Sequence, residues 1–241
     1  MWVKICGITQ VDQALAIAAL GATHLGFICV PQSPRYLSPE SLAPILQSLR
    51  EQRVKVGTVG VFADADPATL GAIVKQVGLS TVQLHGGEPP QVCQRLRLEL
   101  PGVRLIKAIR VRSHQDLSLA LSYAPWVDTL LLDAYHPDRL GGTGHTLDWR
   151  GLSHFRPPCP WFLAGGLRPD NIQTALASLS PDGIDLSSGV EQYPGWKDLR
   201  LVGQLFQALH PGQRPPSSDH PSERGAWGVG PACDRSGGDS A

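Results

Sequence analysis

Three side chains able to move protons stand where short apolar runs end. Cys6 closes "VKIC" before Gly7, His85 follows "VQL", and Asp133 follows "TLLL". A thiol abstracts a proton once ionised, and nearby positive charge favours the ionised form. A carboxylic acid in a partly desolvated place keeps its proton near neutral pH and can donate it. Each residue also has an ordinary use. A cysteine often only packs, Asp133 could serve a turn ahead of "AYHPD", and Lys4 and Lys107 read as structural ion-pair partners.

The elements that must position these groups follow from periodicity. Short apolar runs alternate with segments of helical spacing, the pattern of repeated strand-helix units and a parallel sheet. Eight strands are expected near 3–5, 24–28, 56–62, 81–84, 105–109, 129–132, 161–163 and 183–186, and every gap has room for a helix. Ser38 and Asp66, each followed by proline, read as helix caps, and Pro169 as the start of a helical stretch. Eight such units define an α/β fold, a single closed (β/α)8 TIM barrel over residues 1–210. An open doubly wound sheet would carry a glycine-rich first turn, and "CGIT" is not one.

Strand alternation then sorts the side chains. Lys4 and Cys6 share the inward face of the first strand, while Val3 and Ile5 face the helices. Gln83 and His85 fall on the fourth strand, Lys107 on the fifth, and Asp185 with Ser187 on the eighth. Active sites of such barrels sit at the carboxyl ends of the strands, and the loops after strands seven and eight often cradle phosphate. Here those loops are "AGGL", with Gly165 and Gly166, and "SSGVE", with Ser187, Ser188 and Gly189. A third segment, "GGTGHT", brings Gly142 and Gly144 to the same end, without the Lys-Ser/Thr ending of a nucleotide-binding loop. A phosphorylated small molecule is the expected ligand.

Composition limits the rest. The 21 basic residues balance 21 acidic ones, so no overall field draws nucleic acid or an anionic membrane. There is no apolar run of about 18 residues and no secretion-signal pattern. Five widely spaced cysteines without a C-x-x-C pair suggest neither a disulfide framework nor a zinc site, and fit a reducing cytoplasm. Residues 211–241 hold 16 Pro, Gly or Ser among 31 and read as a disordered tail.

The ordered series "KICGIT", "SPRYLSPE", "VGVFAD", "VQLHGGE", "LLLDA", "GGTGHTLDW", "AGGLRPDN" and "DLSSGVE" with "PGWKD" resembles the phosphoribosylanthranilate isomerases of tryptophan biosynthesis. The resemblance implies a barrel enzyme that rearranges N-(5-phosphoribosyl)anthranilate to the 1-deoxyribulose isomer without metal or organic cofactor. It further implies that Cys6 is the general base, that Asp133 is the general acid, and that Arg35 holds the anthranilate part. Gln83 and His85 are expected to touch substrate. A monomer is expected, with a dimer as the alternative. Cys29 and the tail depart from the family pattern. A histidine-pathway or dual-pathway isomerase would place an aspartate where Cys6 stands, and a non-catalytic barrel would have lost Cys6 or Asp133.

Overall fold

The computed structural model describes residues 1–134 and 149–210. Eight parallel strands close in chain order: β1 (Trp2–Cys6), β2 (His24–Ile28), β3 (Gly57–Phe62), β4 (Thr81–Leu84), β5 (Arg104–Val111), β6 (Thr129–Ala134), β7 (Trp161–Ala164) and β8 (Gly183–Leu186). The ring closes because β8 pairs with β1, Lys4 standing beside Asp185. All eight expected runs are strands, differing from the expectation only at their ends.

Seven α-helices cover the barrel among the described residues: α1 (Val11–Ala19), α2 (Pro39–Glu51), α3 (Pro67–Val77), α4 (Pro90–Glu99), α5 (His114–Tyr123), α6 (Ile172–Ser178) and α7 (Leu199–Leu209). The Ser38 hydroxyl accepts from the Ser41 amide and the Asp66 carboxylate from the Thr69 amide, with Pro39 and Pro67 in the first turns. Between β6 and β7 the described residues 149–160 hold a 3-10 turn, Trp149–Leu152, and the rest of that gap lies outside the described residues. One expectation needs correction. Pro169 does not open a helix, because the Asn171 side chain takes the Arg168 amide at 2.8 Å and holds a turn, so α6 begins at Ile172.

Alternation along the strands divides the core. Val3 and Ile5 point outward into the large apolar layer shared with the helices. The barrel interior holds a smaller cluster, Val59, Ile106, Ala108, Leu131, Phe162 and Ala164, with Trp2 packed against it. Phe162 meets both Trp2 and His24 at ring-centroid distances of 5.8 Å. Lys4, wholly buried, supplies a charged layer within that interior.

A hairpin that the periodicity did not reveal follows β8. Strands β9 (Glu191–Tyr193) and β10 (Trp196–Lys197) pair antiparallel around Gly195, whose φ of 85° suits only glycine at little cost. It is tied to the start of the barrel. The Thr9 hydroxyl donates to the Gly195 carbonyl at 2.6 Å, and the Gln13 side chain exchanges two 3.1 Å hydrogen bonds with the Lys197 backbone.

Candidate active site

The carboxyl ends of the strands surround a cavity of about 250 Å³ lined by Cys6, Arg35, Gln83, His85, Asp133 and Asp185, and by the loops after β7 and β8. Thus the expected site residues on described segments converge on one cavity: Cys6 from β1, Arg35 from the loop after β2, Gln83 and His85 from β4 and its end, Asp133 from β6, and Gly165, Gly166, Ser187, Ser188 and Gly189 from the last two loops. Gly142 and Gly144 lie outside the described residues.

Around the thiol the charges are unusually dense. The Lys4 ammonium donates to both oxygens of Asp185 at 2.9 and 3.0 Å. Burial alone would favour neutral Lys4, but Asp185 and Cys6 outweigh it and hold its pKa above the ordinary lysine value. Burial pushes the Cys6 thiol up, while Lys4 and Lys197 pull it back and Asp185 opposes them. The sequence reading expected positive charge to lower this thiol. The charges are in place, yet desolvation exceeds them and the thiol stays above its ordinary value.

Arg35 is held by Glu191, its Nε donating at 2.8 Å to Oε1 and its Nη2 at 2.6 Å to Oε2. The same carboxylate accepts from the Lys197 ammonium at 2.6 Å. Burial would raise Glu191, but Arg35 and Lys197 prevail and keep it below the ordinary carboxylate range. Both structural lysine readings hold: Lys4 pairs with Asp185, and Lys107 with Glu88 at 2.6 Å.

That second pair fixes the turn that carries His85. The Lys107 ammonium also donates to the Gly86 carbonyl at 2.7 Å, Glu88 accepts from the Asp64 amide at 2.8 Å, and Asp64 accepts from the Gly87 amide at 2.7 Å. A side chain at Gly86 would lie 2.6 Å from the Asp64 amide nitrogen, so the turn needs glycine. On this support the Gln83 amide donates to His85 Nδ1 at 3.3 Å. A neutral imidazole then carries its proton on Nε2, which faces the Asp133 carboxylate at 3.6 Å. His85 Nε2 and Gln83 Oε1 are buried without a hydrogen-bond partner, which leaves polar groups for a ligand in the cavity.

The glycine loops line the cavity together. Gly165 and Gly166 adopt φ of 94° and 64°, and a Cβ at Gly189 would collide with the Leu167 carbonyl, so the two loops approach only because that residue is glycine. Ser188–Val190 forms a 3-10 turn. The first two amides of such a turn, those of Ser188 and Gly189, lack an intrahelical acceptor and suit an anion.

Glu191 and Lys197 are the main residues that sequence reasoning passed over. Their signal was present, since both stand in the "DLSSGVE" and "PGWKD" segments, but without the hairpin nothing brought them to Cys6. Of the other cysteines on described segments, Cys93 and Cys159 are buried in the core and Cys29 is half-buried against it, as packing residues should be.

Fold and mouth together define a (β/α)8 barrel enzyme built to handle a small anionic molecule. A family model for N-(5'phosphoribosyl)anthranilate (PRA) isomerase matches residues 3–208. The chain is 56% identical over 209 residues to the N-(5'-phosphoribosyl)anthranilate isomerase of Rippkaea orientalis, covering 87% of this chain and 96% of that protein. It is 56% identical over 207 residues to that of Synechococcus elongatus, covering 86% and 95%. The Thermotoga maritima phosphoribosyl anthranilate isomerase structure superposes with a TM-score of 0.75 at 35% identity, over 88% of this chain and 99% of that one. A phosphoribosyl anthranilate isomerase solved in complex with reduced 1-(o-carboxyphenylamino)-1-deoxyribulose 5-phosphate matches with a TM-score of 0.74 at 33% identity, over 88% and 99%. This chain belongs to the N-(5'-phosphoribosyl)anthranilate isomerase family.

Proposed function

We propose that the chain converts N-(5-phosphoribosyl)anthranilate to 1-(2-carboxyphenylamino)-1-deoxyribulose 5-phosphate in tryptophan biosynthesis, with Asp133 as general acid and Cys6 as general base. The observation that carries this reading is that a thiol and a carboxyl group from β1 and β6 line one cavity whose rim is made by the two glycine loops.

The rearrangement conserves atoms and electrons, so proton transfers alone carry it. Asp133 gives its proton to the ribose ring oxygen; the C1–O bond breaks and the anilino nitrogen supplies electrons to form a C=N bond. The resulting iminium makes the hydrogen at C2 acidic. Cys6, ionised, takes that proton, leaving an enol that becomes the ketone when C1 is protonated. A thiolate with a raised pKa is a strong base once formed, and the neighbouring ammonium groups lower the cost of forming it. Each transfer contributes on the order of 100- to 10,000-fold.

The loops after β7 and β8 hold the phosphate, with Gly165, Gly166, Ser187, Ser188 and Gly189 at the contact. Arg35, already oriented by Glu191, takes the anthranilate carboxylate. Gln83 and His85 bind sugar hydroxyls with the buried polar atoms that have no protein partner. Fixing a flexible sugar against both groups is itself a large part of the acceleration.

Residues 1–210 carry the activity in this reading, and 211–241 are dispensable for it; the family match ends at 208. In this reading a single barrel is the active unit, with a dimer as the alternative. The cytoplasm is the compartment that suits the free thiols Cys6, Cys29, Cys93 and Cys159. Purified chain mixed with the phosphoribosyl substrate should consume its anthranilate fluorescence, and should leave the histidine-pathway aminoaldose unchanged. Turnover of the second compound alone would overturn the assignment.

A further inference from the structure

We propose that Lys197 and Glu191 are positioning residues for Cys6: Lys197 places a second buried positive charge beside that of Lys4, and Glu191 limits it by sharing one carboxylate between Lys197 and Arg35. The inference rests on the reading of Cys6 as base and deepens it, by naming the residues that set the charge around the thiol.

The geometry is specific. The Lys197 side chain has no exposed surface and that of Glu191 only 4%. The ammonium donates to Glu191 Oε1 at 2.6 Å and to the Ser187 carbonyl at 3.3 Å, and Ser187 lines the same cavity as Cys6. An ammonium removed from water is costly where an apolar side chain would pack as well. The hairpin is built to deliver it, since the β9–β10 register shifts between Trp196 and Lys197, and a bulge of this kind re-aims a side chain. Gln13 then clamps the Lys197 backbone from α1 on both sides.

Charge balance explains why the triad matters. Facing Cys6 from its own strand and from β8, Lys4 and Asp185 cancel one another. Facing it from the loop after β2 and from the hairpin are Arg35, Lys197 and Glu191, two cations against one anion. Asp133 and His85 line the cavity from β6 and β4. The uncompensated positive charge near the thiol therefore comes from the triad. Its electrostatic contact reaches Cys6 from both cations, Lys197 and Arg35.

The test is the pH dependence of Cys6 alkylation by iodoacetamide, followed on the Cys6 peptide by mass spectrometry because the chain holds four other cysteines. Lys197→Met should raise the half-maximal pH by on the order of one unit, and Glu191→Gln should lower it by a similar amount. Lys197→Arg should restore the wild-type midpoint. Circular dichroism identifies a variant that does not fold, and Glu191→Gln with Lys197→Arg then decide the matter without Lys197→Met. Unchanged midpoints, or shifts of the same sign in the Met and Gln variants, would overturn the proposal, even with kcat reduced. Activity of Cys6→Ala separates the two ideas: full turnover there removes Cys6 as base and leaves the opposed midpoint shifts to stand or fall alone.

Discussion

Gly26 stands opposite Cys6 in the β1–β2 register, and a Cβ at Gly26 would lie 2.6 Å from the Cys6 sulfur. The thiol is thus seated in a space that only glycine leaves open. Gly26→Ala must push the sulfur or the backbone of β1, an overpacking that costs about 1–3 kcal/mol. We expect kcat to fall by at least about tenfold with KM changed less, since the added methyl acts on the thiol itself and not on the phosphate loops. Steady-state kinetics beside a denaturant melt check both parts.

The Lys4–Asp185 pair predicts a stability effect of known sign. Lys4→Met leaves the half-buried Asp185 carboxylate, 10% exposed, without its partner, and breaking a buried pair costs up to about 3–5 kcal/mol. Adding Asp185→Asn to that variant should recover much of the loss, because no isolated charge then remains. Urea unfolding of the single and double variants measures the difference; equal losses in both would contradict the ion-pair account.

His24, at the barrel floor, gives the protein an acid-sensitive core. Burial first, then the positive charges of Lys4 and Arg104, hold its imidazole down to about 3 from 6.5. The unfolded chain therefore binds a proton below pH 6.5 that the folded chain refuses until about 3. Stability is fully present above that upper value and is lost as pH falls through the window, by at most about 1.4 kcal/mol per pH unit from this group. His24→Leu should flatten the decline of the thermal midpoint between pH 6 and 4, roughly the middle of that window.

The two glycine loops should respond differently to one methyl group. At Gly189 a Cβ meets the Leu167 carbonyl and forces the loops apart, whereas at Gly166 nothing lies within 4 Å and only the φ of 64° resists. Gly189→Ala should raise KM by more than about tenfold, and Gly166→Ala should cost mainly about 1 kcal/mol of stability. Comparable KM values for the two variants would mean that the loops do not act as one phosphate cradle.

Much of this architecture could be read from the chain. The strands were legible because a parallel barrel buries both faces and leaves continuous apolar runs such as "TLLL". Alternation alone put Lys4 and Cys6 inward and Val3 outward, and the structure agrees. What could not be read was long-range pairing. That Glu191 would join Arg35 across 156 positions depends on a three-residue strand and a two-residue strand, too short for any period to mark. The raised thiol was missed for a related reason: residue types announce the nearby charges, but the depth of burial that outweighs them exists only in the closed barrel.

The central claim is that the Cys6 thiol and the Asp133 carboxyl group share one bound sugar phosphate and divide its proton transfers. Single-turnover conversion of N-(5-phosphoribosyl)anthranilate by Cys6→Ala and by Asp133→Asn tests it, alongside binding of the reduced product analogue. The account predicts a loss of about 100- to 10,000-fold in each variant with analogue binding changed only a few-fold. Turnover within about tenfold of the parent in either variant would contradict it.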